Sequence, residues 1–110
     1  MKRTVFSATF IFAKKQFDEA FFSLDAAIAK AAKQTPGYLG EETWENPSNG
    51  LVCNIYYWDS LAALQLMMQH PDHLRAKDNQ ALWLNGYQVT VAKVLRSYGD
   101  GRITSPFTTH

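Results

Sequence analysis

Three side chains that could bind or act on a ligand alternate along one apolar stretch, Leu51–Trp58: Asn54, Tyr56 and Trp58. Alternate residues of a strand point to one face, so this spacing groups an amide, a phenol and an indole. An amide is costly to bury in an apolar strand unless it is hydrogen bonded. Asn54 therefore makes a structural hydrogen bond or contacts a ligand, and Trp58 packs in the core or offers its N–H to a ligand.

Two histidines, His70 and His73, flank Pro71 and Asp72. An imidazole titrates near neutral pH, which makes His73 a candidate general base or acid. The alternatives for His73 are a helix cap or a pair with Asp72. No set of thiolates and carboxylates lies at metal-ligand spacing around these histidines, so we expect no metal site.

The pattern of apolar residues and turn signals predicts four strands and two helical regions. The predicted elements are, in chain order, a strand Thr4–Phe12, a helix Asp18–Lys33 capped by Asp18 and stapled by Phe17 and Phe22, a strand Tyr38–Glu45, a hairpin turn at Asn49-Gly50, a strand Leu51–Trp58, a second helix capped by Asp59 or Ser60 and broken at Pro71, a further helical piece ending at Gly86, and a strand Tyr87–Tyr98. The order β-α-β-β-α-β is the ferredoxin-like plan, an α+β fold with a four-stranded antiparallel sheet and both helices on one face. We expect one domain over residues 1–99 and a tail over 100–110.

This fold predicts a pocket between the sheet and the helices. Asn54, Tyr56 and Trp58 would form its floor, and Met67, His73 and Trp83 its roof. Ten residues of helix span about 15 Å, so the bend at Pro71 is needed to turn the later helical piece back over the floor. A mostly apolar cavity with few polar groups is the usual form of a small-ligand site.

The opposite face of the sheet is also apolar, because Leu51, Cys53, Ile55 and Tyr57 alternate with the floor residues. Two helices cannot cover both faces. We therefore expect a homodimer packed sheet to sheet through this face.

Composition excludes several classes of protein. The net charge is +1 and no basic block exceeds Lys14-Lys15, so we expect no nucleic-acid partner. No apolar run is long enough to span a membrane, and the opening residues are too interrupted by Ser7 and Thr9 for a signal peptide. The single cysteine, Cys53, fits a reducing compartment, and we expect a cytoplasmic protein.

Four segments between Thr4 and Gly99 resemble the antibiotic biosynthesis monooxygenase (ABM) family of dimeric α+β barrels: "TPGYLGEETW", "YYWDSLAAL", "HPDHLRAKDNQALW" and "YQVTVAKVLRSYG". The resemblance implies a homodimer and a cofactor-independent monooxygenase of small aromatic substrates such as phenols, hydroquinones or polyketides. Oxygenases of this family place an Asn and a Trp four residues apart on one strand, as Asn54 and Trp58 stand here. The family's tyrosines and arginine have Tyr56, Tyr38 and Arg75 as candidates.

The resemblance also implies alternatives. Haem-degrading members use an Asn, a Trp and a His, and the matching positions here are Ser7, Met67 and about Lys77. That triad is absent. Haem binding with His73 as axial ligand and a non-enzymatic dimer that binds a small aromatic remain alternatives to a catalytic role for His73, Asn54 and Trp58, with Met67 and Trp83 as substrate contacts.

Overall fold

The computed structural model describes residues 4–106 as four strands and three helices. The elements are β1 (Val5–Lys14), α1 (Glu19–Gln34), β2 (Tyr38–Asn46), β3 (Leu51–Trp58), α2 (Leu61–Met68), α3 (Pro71–Trp83) and β4 (Leu84–Val94). The strands form one antiparallel sheet in the order β2-β3-β1-β4. This is the predicted ferredoxin-like α+β fold.

The helices cover one face of the sheet, which we call the helix face. The register pairs Phe10 of β1 with Asn54 of β3 and with Val89 of β4. Directly paired residues share a face, and the next residues along each strand lie on the other face. The second face, here the open face, carries Ile11, Cys53 and their neighbours.

The turn between β2 and β3 differs from the predicted two-residue hairpin. Gly50 has a positive φ of 71°, whereas Asn49 does not. The backbone N–H groups of Asn49 and Gly50 both donate to the Asn46 carbonyl. The connection is therefore a four-residue loop, 47–50, in which glycine alone takes the left-handed conformation.

The second helical region is two helices rather than one bent helix. Ser60 begins α2, and its hydroxyl accepts a hydrogen bond of 3.1 Å from the backbone N–H of Ala63. His70 caps α3 through its Nδ1, which accepts from the backbone N–H of Asp72. Pro71 takes the first position of α3, where its missing N–H costs no hydrogen bond. The break at Pro71 is thus the start of a new helix.

Strand β4 begins earlier than the sequence predicts. It starts at Leu84 and ends at Val94, whereas the sequence predicted Tyr87–Tyr98. Gly86, predicted to end the helix, instead lies within β4 with a φ of 108°. Phe12 pairs with Tyr87 and Lys14 pairs with Leu84, so β4 has one extra residue at this point. Glycine permits this β-bulge.

Asp18 joins the start of α1 to the end of α3. Its Oδ1 accepts hydrogen bonds from the Phe21 backbone N–H at 2.9 Å and from the Trp83 Nε1 at 3.1 Å. The predicted cap is therefore confirmed, and it has a second role. The predicted staple pair, Phe17 and Phe22, also meets, with ring centroids 6.1 Å apart.

Replacing Asp18 with alanine should lower the free energy of unfolding by about 2 kcal/mol, because it removes a helix cap and leaves the indole N–H of the buried Trp83 without an acceptor. Asp18→Asn is the matched control, since its amide oxygen can accept both bonds. Urea denaturation of the two variants measures the difference. Equal midpoints for Asp18→Ala and the native chain would contradict the double role.

The core lies under the helix face in two clusters. Trp58 and Leu64, with 2% and 1% of their surfaces exposed, centre the first, between α1, α2 and β3. Phe12, Trp83 and Leu84 form the second, packed against Phe17, Phe21 and Leu24 near the start of α1. The two clusters flank the cavity described below.

The open face keeps apolar surface uncovered in this single chain. Ile11 is 37% exposed and Trp44, paired with Cys53, is 64% exposed. The segment after β4 returns to β2, where the backbone of Pro106 leaves no room for a side chain at Gly40. The Gly40 end of this face is therefore covered, and its centre is not.

No helix within residues 4–106 is long and apolar enough to cross a membrane.

Candidate active site

A cavity of about 420 Å³ lies between the helix face and the three helices. This volume is in the range of small-ligand sites. Its floor comes from β1, β3 and β4, one wall from α1, and the roof and second wall from α2 and α3. The lining is mostly apolar, and its polar side chains are those of Asp25, Asn54, Tyr56, His73, Lys77, Gln80 and Tyr87, together with the indoles of Trp58 and Trp83.

The floor contains the three side chains that alternate along β3. Asn54, Tyr56 and Trp58 all line the cavity. The Oδ1 of Asn54 accepts a 2.9 Å hydrogen bond from the hydroxyl of Thr43, its partner on β2. This bond orients the amide, and no bond within residues 4–106 uses the Asn54 NH₂ group. The amide therefore makes the structural hydrogen bond that the sequence left as one alternative, and it also lines the cavity.

Trp58 is 2% exposed, and its buried Nε1 has no hydrogen-bond partner among the described residues. The ring is fixed by Tyr56, whose ring centroid lies 6.4 Å away in a stacked arrangement, and by Tyr38, which packs edge-on at 5.8 Å. A buried N–H without an acceptor costs about 1–3 kcal/mol. A ligand oxygen could remove that cost.

The roof brings together the other residues predicted for it. Met67, His73 and Trp83 line the same cavity as the floor residues, although fifteen positions separate Trp58 from His73. The start of α3 at Pro71 makes this possible, because α3 runs back along the cavity and places His73, Ala76, Gln80 and Trp83 along it.

His73 lies in a setting that favours its neutral form. Burial, then the positive charge of Lys77, lowers the pKa of the imidazole from its ordinary value of 6.5; the Met68 carbonyl opposes this shift, and His70 adds to it. The Nδ1 of His73 is buried without a hydrogen-bond partner among residues 4–106. A neutral imidazole with an unused nitrogen can accept a proton at pH 7.

The sequence left open a pair between His73 and Asp72, and the structure does not contain that pair. Asp72 instead bonds to Arg75, one turn along α3, and lies 3.8 Å from the Nδ1 of His70. Arg75 itself is 66% exposed and does not line the cavity. His73 is therefore free of the carboxylate that would have raised its pKa.

Tyr38 also lies outside the cavity lining. Its hydroxyl donates a 3.1 Å hydrogen bond to Glu41, and its ring supports Trp58 from behind. Burial, with the charge and hydrogen bond of Glu41, raises the pKa of Tyr38 to about 12. Tyr38 positions a residue of the floor and does not reach the ligand space.

The sequence missed two charged residues of the cavity, Lys77 of α3 and Asp25 of α1. Partial burial and the nearby charge of Glu41 raise the pKa of its carboxyl. Burial, then Glu41, then Asp25 and Tyr38 raise the pKa of the Tyr56 hydroxyl. Asp25, Tyr38, Glu41 and Tyr56 thus form one cluster, which we call the acidic corner. From the sequence, Asp25 has the pattern of a solvent-facing charge on an amphipathic helix. In the structure much of its surface is indeed exposed, although the side chain also lines the cavity.

The haem-degrading positions that the sequence aligned do not meet in this cavity. Ser7 pairs with Tyr57 on the open face, on the far side of the sheet from Met67 and Lys77. Within residues 4–106, no three His, Cys, Asp or Glu side chains lie close enough to hold a metal ion.

Chemically, the cavity combines a proton acceptor with donors in an apolar space. His73 can accept a proton, the Asn54 NH₂ and Trp58 N–H can donate to an oxygen, and the phenylalanines of β1 can pack against a flat ring. Donors fixed in a site of low polarity stabilise a developing oxyanion better than water does.

Comparison with known proteins shows the same architecture. No protein-family model matches the chain. The uncharacterized protein YqjZ of Bacillus subtilis is 29% identical over 92 residues, covering 83% of this chain and 80% of YqjZ.

Among solved structures, SnoaB from Streptomyces nogalater, described as a cofactor-independent oxygenase, superposes with a TM-score of 0.70 at 13% identity, covering 87% of this chain and 97% of SnoaB. A Deinococcus radiodurans protein provisionally assigned as an antibiotic biosynthesis monooxygenase gives a TM-score of 0.68 at 22% identity, covering 86% of this chain and 96% of that protein. Identities this low establish the fold alone. The chain has the four-stranded α+β fold of these structural neighbours, which include antibiotic biosynthesis monooxygenase-like proteins, as the sequence resemblance predicts.

Proposed function

We propose that the protein is a cofactor-independent monooxygenase of a small hydroxylated aromatic compound. The observation that carries this proposal is the convergence of Asn54, Trp58 and His73 on one apolar cavity, with the Trp58 N–H and the His73 Nδ1 both lacking partners among residues 4–106. The description of SnoaB as a cofactor-independent oxygenase on the same fold supports it.

In this mechanism the substrate supplies all the electrons. His73 takes the proton of an activated phenol, and the resulting anion passes one electron to dioxygen. The substrate radical and superoxide join at the ring carbon opposite the hydroxyl, and the proton held by His73 goes to the peroxide oxygen. That carbon then loses its hydrogen as the O–O bond breaks, which leaves a quinone and one water.

The protein's own contribution is to bind, to move a proton and to stabilise charge. The Asn54 NH₂ and the Trp58 N–H donate to the phenolate oxygen, which lowers the cost of removing its proton. The apolar lining excludes water that would otherwise compete for these donors.

The direct test uses 9-hydroxyanthracene, an activated phenol that would consume one O₂ and yield anthraquinone. Oxygen uptake above the protein-free rate, with anthraquinone as product and no added metal or flavin, is the expected result. Binding by calorimetry without oxygen uptake would favour the non-enzymatic alternative. A haem absorption band after reconstitution, with His73→Ala abolishing it, would favour the haem alternative.

Asn54→Ala should slow this oxygen uptake about tenfold, because one hydrogen bond contributes roughly 1–1.5 kcal/mol and 1.4 kcal/mol is a factor of ten in rate. Thr43→Val is the matched control, since it removes only the bond that orients the amide and should cost less. Steady-state oxygen-electrode rates compare the two. Equal rates for Asn54→Ala and the native protein would exclude Asn54 as a donor.

We also propose that the protein is a homodimer, paired through the open face. The uncovered centre of this face carries Ile11, Trp44, Cys53 and Ile55 side by side on three neighbouring strands. A second copy related by a two-fold axis would bury the same patch on both chains. The cavity lies on the opposite face, so each chain would keep a complete site.

A further inference from the structure

The α1 wall of the cavity holds one charged residue, Asp25, among apolar neighbours such as Leu24 and Ile28. Within residues 4–106, no donor forms a hydrogen bond or ion pair with its carboxylate, and Glu41 adds a like charge nearby. The cationic side chain in the cavity, Lys77, belongs to the opposite wall on α3. A carboxylate in this position gains from any hydrogen-bond donor that a ligand brings.

In the acidic corner, Tyr56 is a second polar side chain that lines the cavity beside Asp25. Its hydroxyl interacts with Glu41 behind it. Glu41 also accepts a hydrogen bond from the Tyr38 hydroxyl. The acidic corner therefore holds two carboxylates and two phenol hydroxyls. The ring of Tyr56 stacks on Trp58, whose buried N–H has no partner among the described residues. The Asp25 carboxylate, which has no donor among residues 4–106, and the buried Trp58 N–H therefore belong to one end of one cavity.

We propose that Asp25 is a specificity-determining residue, whose carboxylate accepts a hydrogen bond from a hydroxyl group of the bound aromatic. This inference rests on the proposed function, since it specifies which ring substituent the same cavity selects. Hydrogen bonds to an ionised acceptor are the stronger kind. A site with such an acceptor discriminates against an analogue that lacks the donor, because the acceptor is then desolvated without a partner.

Asp25 should favour ligands with a hydroxyl group over ligands without one for any aromatic compound that fits the cavity, whether or not the compound reacts with oxygen. The cavity should therefore prefer a phenol to its methyl ether, which has the same ring and a larger substituent but no O–H. The acceptor is partly solvated, so we expect a preference of roughly tenfold or more, below that of a fully buried hydrogen-bonding site.

The test measures binding by calorimetry, with 2-naphthol and 2-methoxynaphthalene as a matched, unreactive pair. The native protein should bind 2-naphthol roughly tenfold more tightly than the ether. Asp25→Ala should lower that ratio threefold or more, the remainder being due to the contact of the hydroxyl with His73 that the proposed function includes, and Asp25→Asn, which keeps a neutral acceptor, should retain more of the ratio than Asp25→Ala. Glu19→Gln, which removes a charge from α1 outside the cavity lining, should leave the ratio unchanged. Urea unfolding of each variant checks that the fold is intact.

The outcomes separate this inference from the proposed function. If Asp25→Ala keeps the native ratio while both ligands still bind, the role of Asp25 is wrong and the aromatic site stands. If neither naphthalene binds the native protein, both are wrong. If 2-naphthylmethylammonium binds more tightly than 2-naphthol and loses its advantage in Asp25→Ala, the carboxylate serves a cationic ligand and the hydroxyl assignment is overturned.

Discussion

Replacing His73 with alanine should lower oxygen uptake with 9-hydroxyanthracene by about 10²-fold or more, the loss typical of a general base. His73 is the imidazole of the cavity, and its lowered pKa keeps it neutral at pH 7. Without it, the phenol must transfer its proton to water in an apolar space. The rate of oxygen consumption at saturating substrate measures the effect.

The pH profile distinguishes a base from a residue that only packs. In the proposed mechanism the neutral form of His73 is the active one, so the native rate should rise with pH through a pKa below 6.5 and level off above it. This dependence should vanish in His73→Gln, which keeps a polar side chain of similar size but cannot take the proton. Full activity in His73→Ala, or an unchanged profile in His73→Gln, would remove the histidine from the mechanism.

If the protein is the proposed homodimer, replacing Ile55 with lysine should give a folded monomer. The new ammonium would lie at the centre of the proposed interface, and desolvating it costs roughly 3 kcal/mol or more, which weakens association more than a hundredfold. A two-fold axis places two such charges in one interface. In the separate chain, the introduced ammonium would lie opposite Glu42, which is the β2 partner of Ile55, so the monomer should remain folded.

Light scattering of the purified proteins gives the masses directly. The native protein should have twice the chain mass of 12.5 kDa, and Ile55→Lys should have the single mass. Ser23→Lys, a charge added on the exposed side of α1, is the control and should remain dimeric. A native mass of one chain would refute the dimer and leave the apolar centre of the open face without an explanation.

The floor of the site could be predicted because a strand fixes direction with a period of two. Asn54, Tyr56 and Trp58 follow from that alternation alone. The positions of His73 and Trp83 in the roof followed from placing both on one helical piece, once the chain was assumed to turn back at Pro71. These inferences need only local geometry.

The features that the sequence did not predict depend mostly on contacts between distant segments of the chain. Trp83 bonds to Asp18 across 65 positions, and no local pattern signals that pair. Asp25 occupies a helix position that normally faces solvent, and only the gap between α1 and the sheet makes it part of the cavity. Arg75 shows the reverse, because a local partner, Asp72, holds it at the surface. The start of β4 was also misjudged, since the glycine that would end a helix instead forms a bulge in the strand.

The three tryptophans are distributed unequally between the two faces of the sheet. Trp44 is exposed on the open face, whereas Trp58 and Trp83 are buried around the cavity. Intrinsic fluorescence therefore contains two optical signals from separate places. In Trp44→Phe the remaining emission comes from the cavity alone and reports ligand entry. The difference between this spectrum and that of the native chain isolates a solvent-exposed indole, which should shift to shorter wavelength when a second molecule covers it.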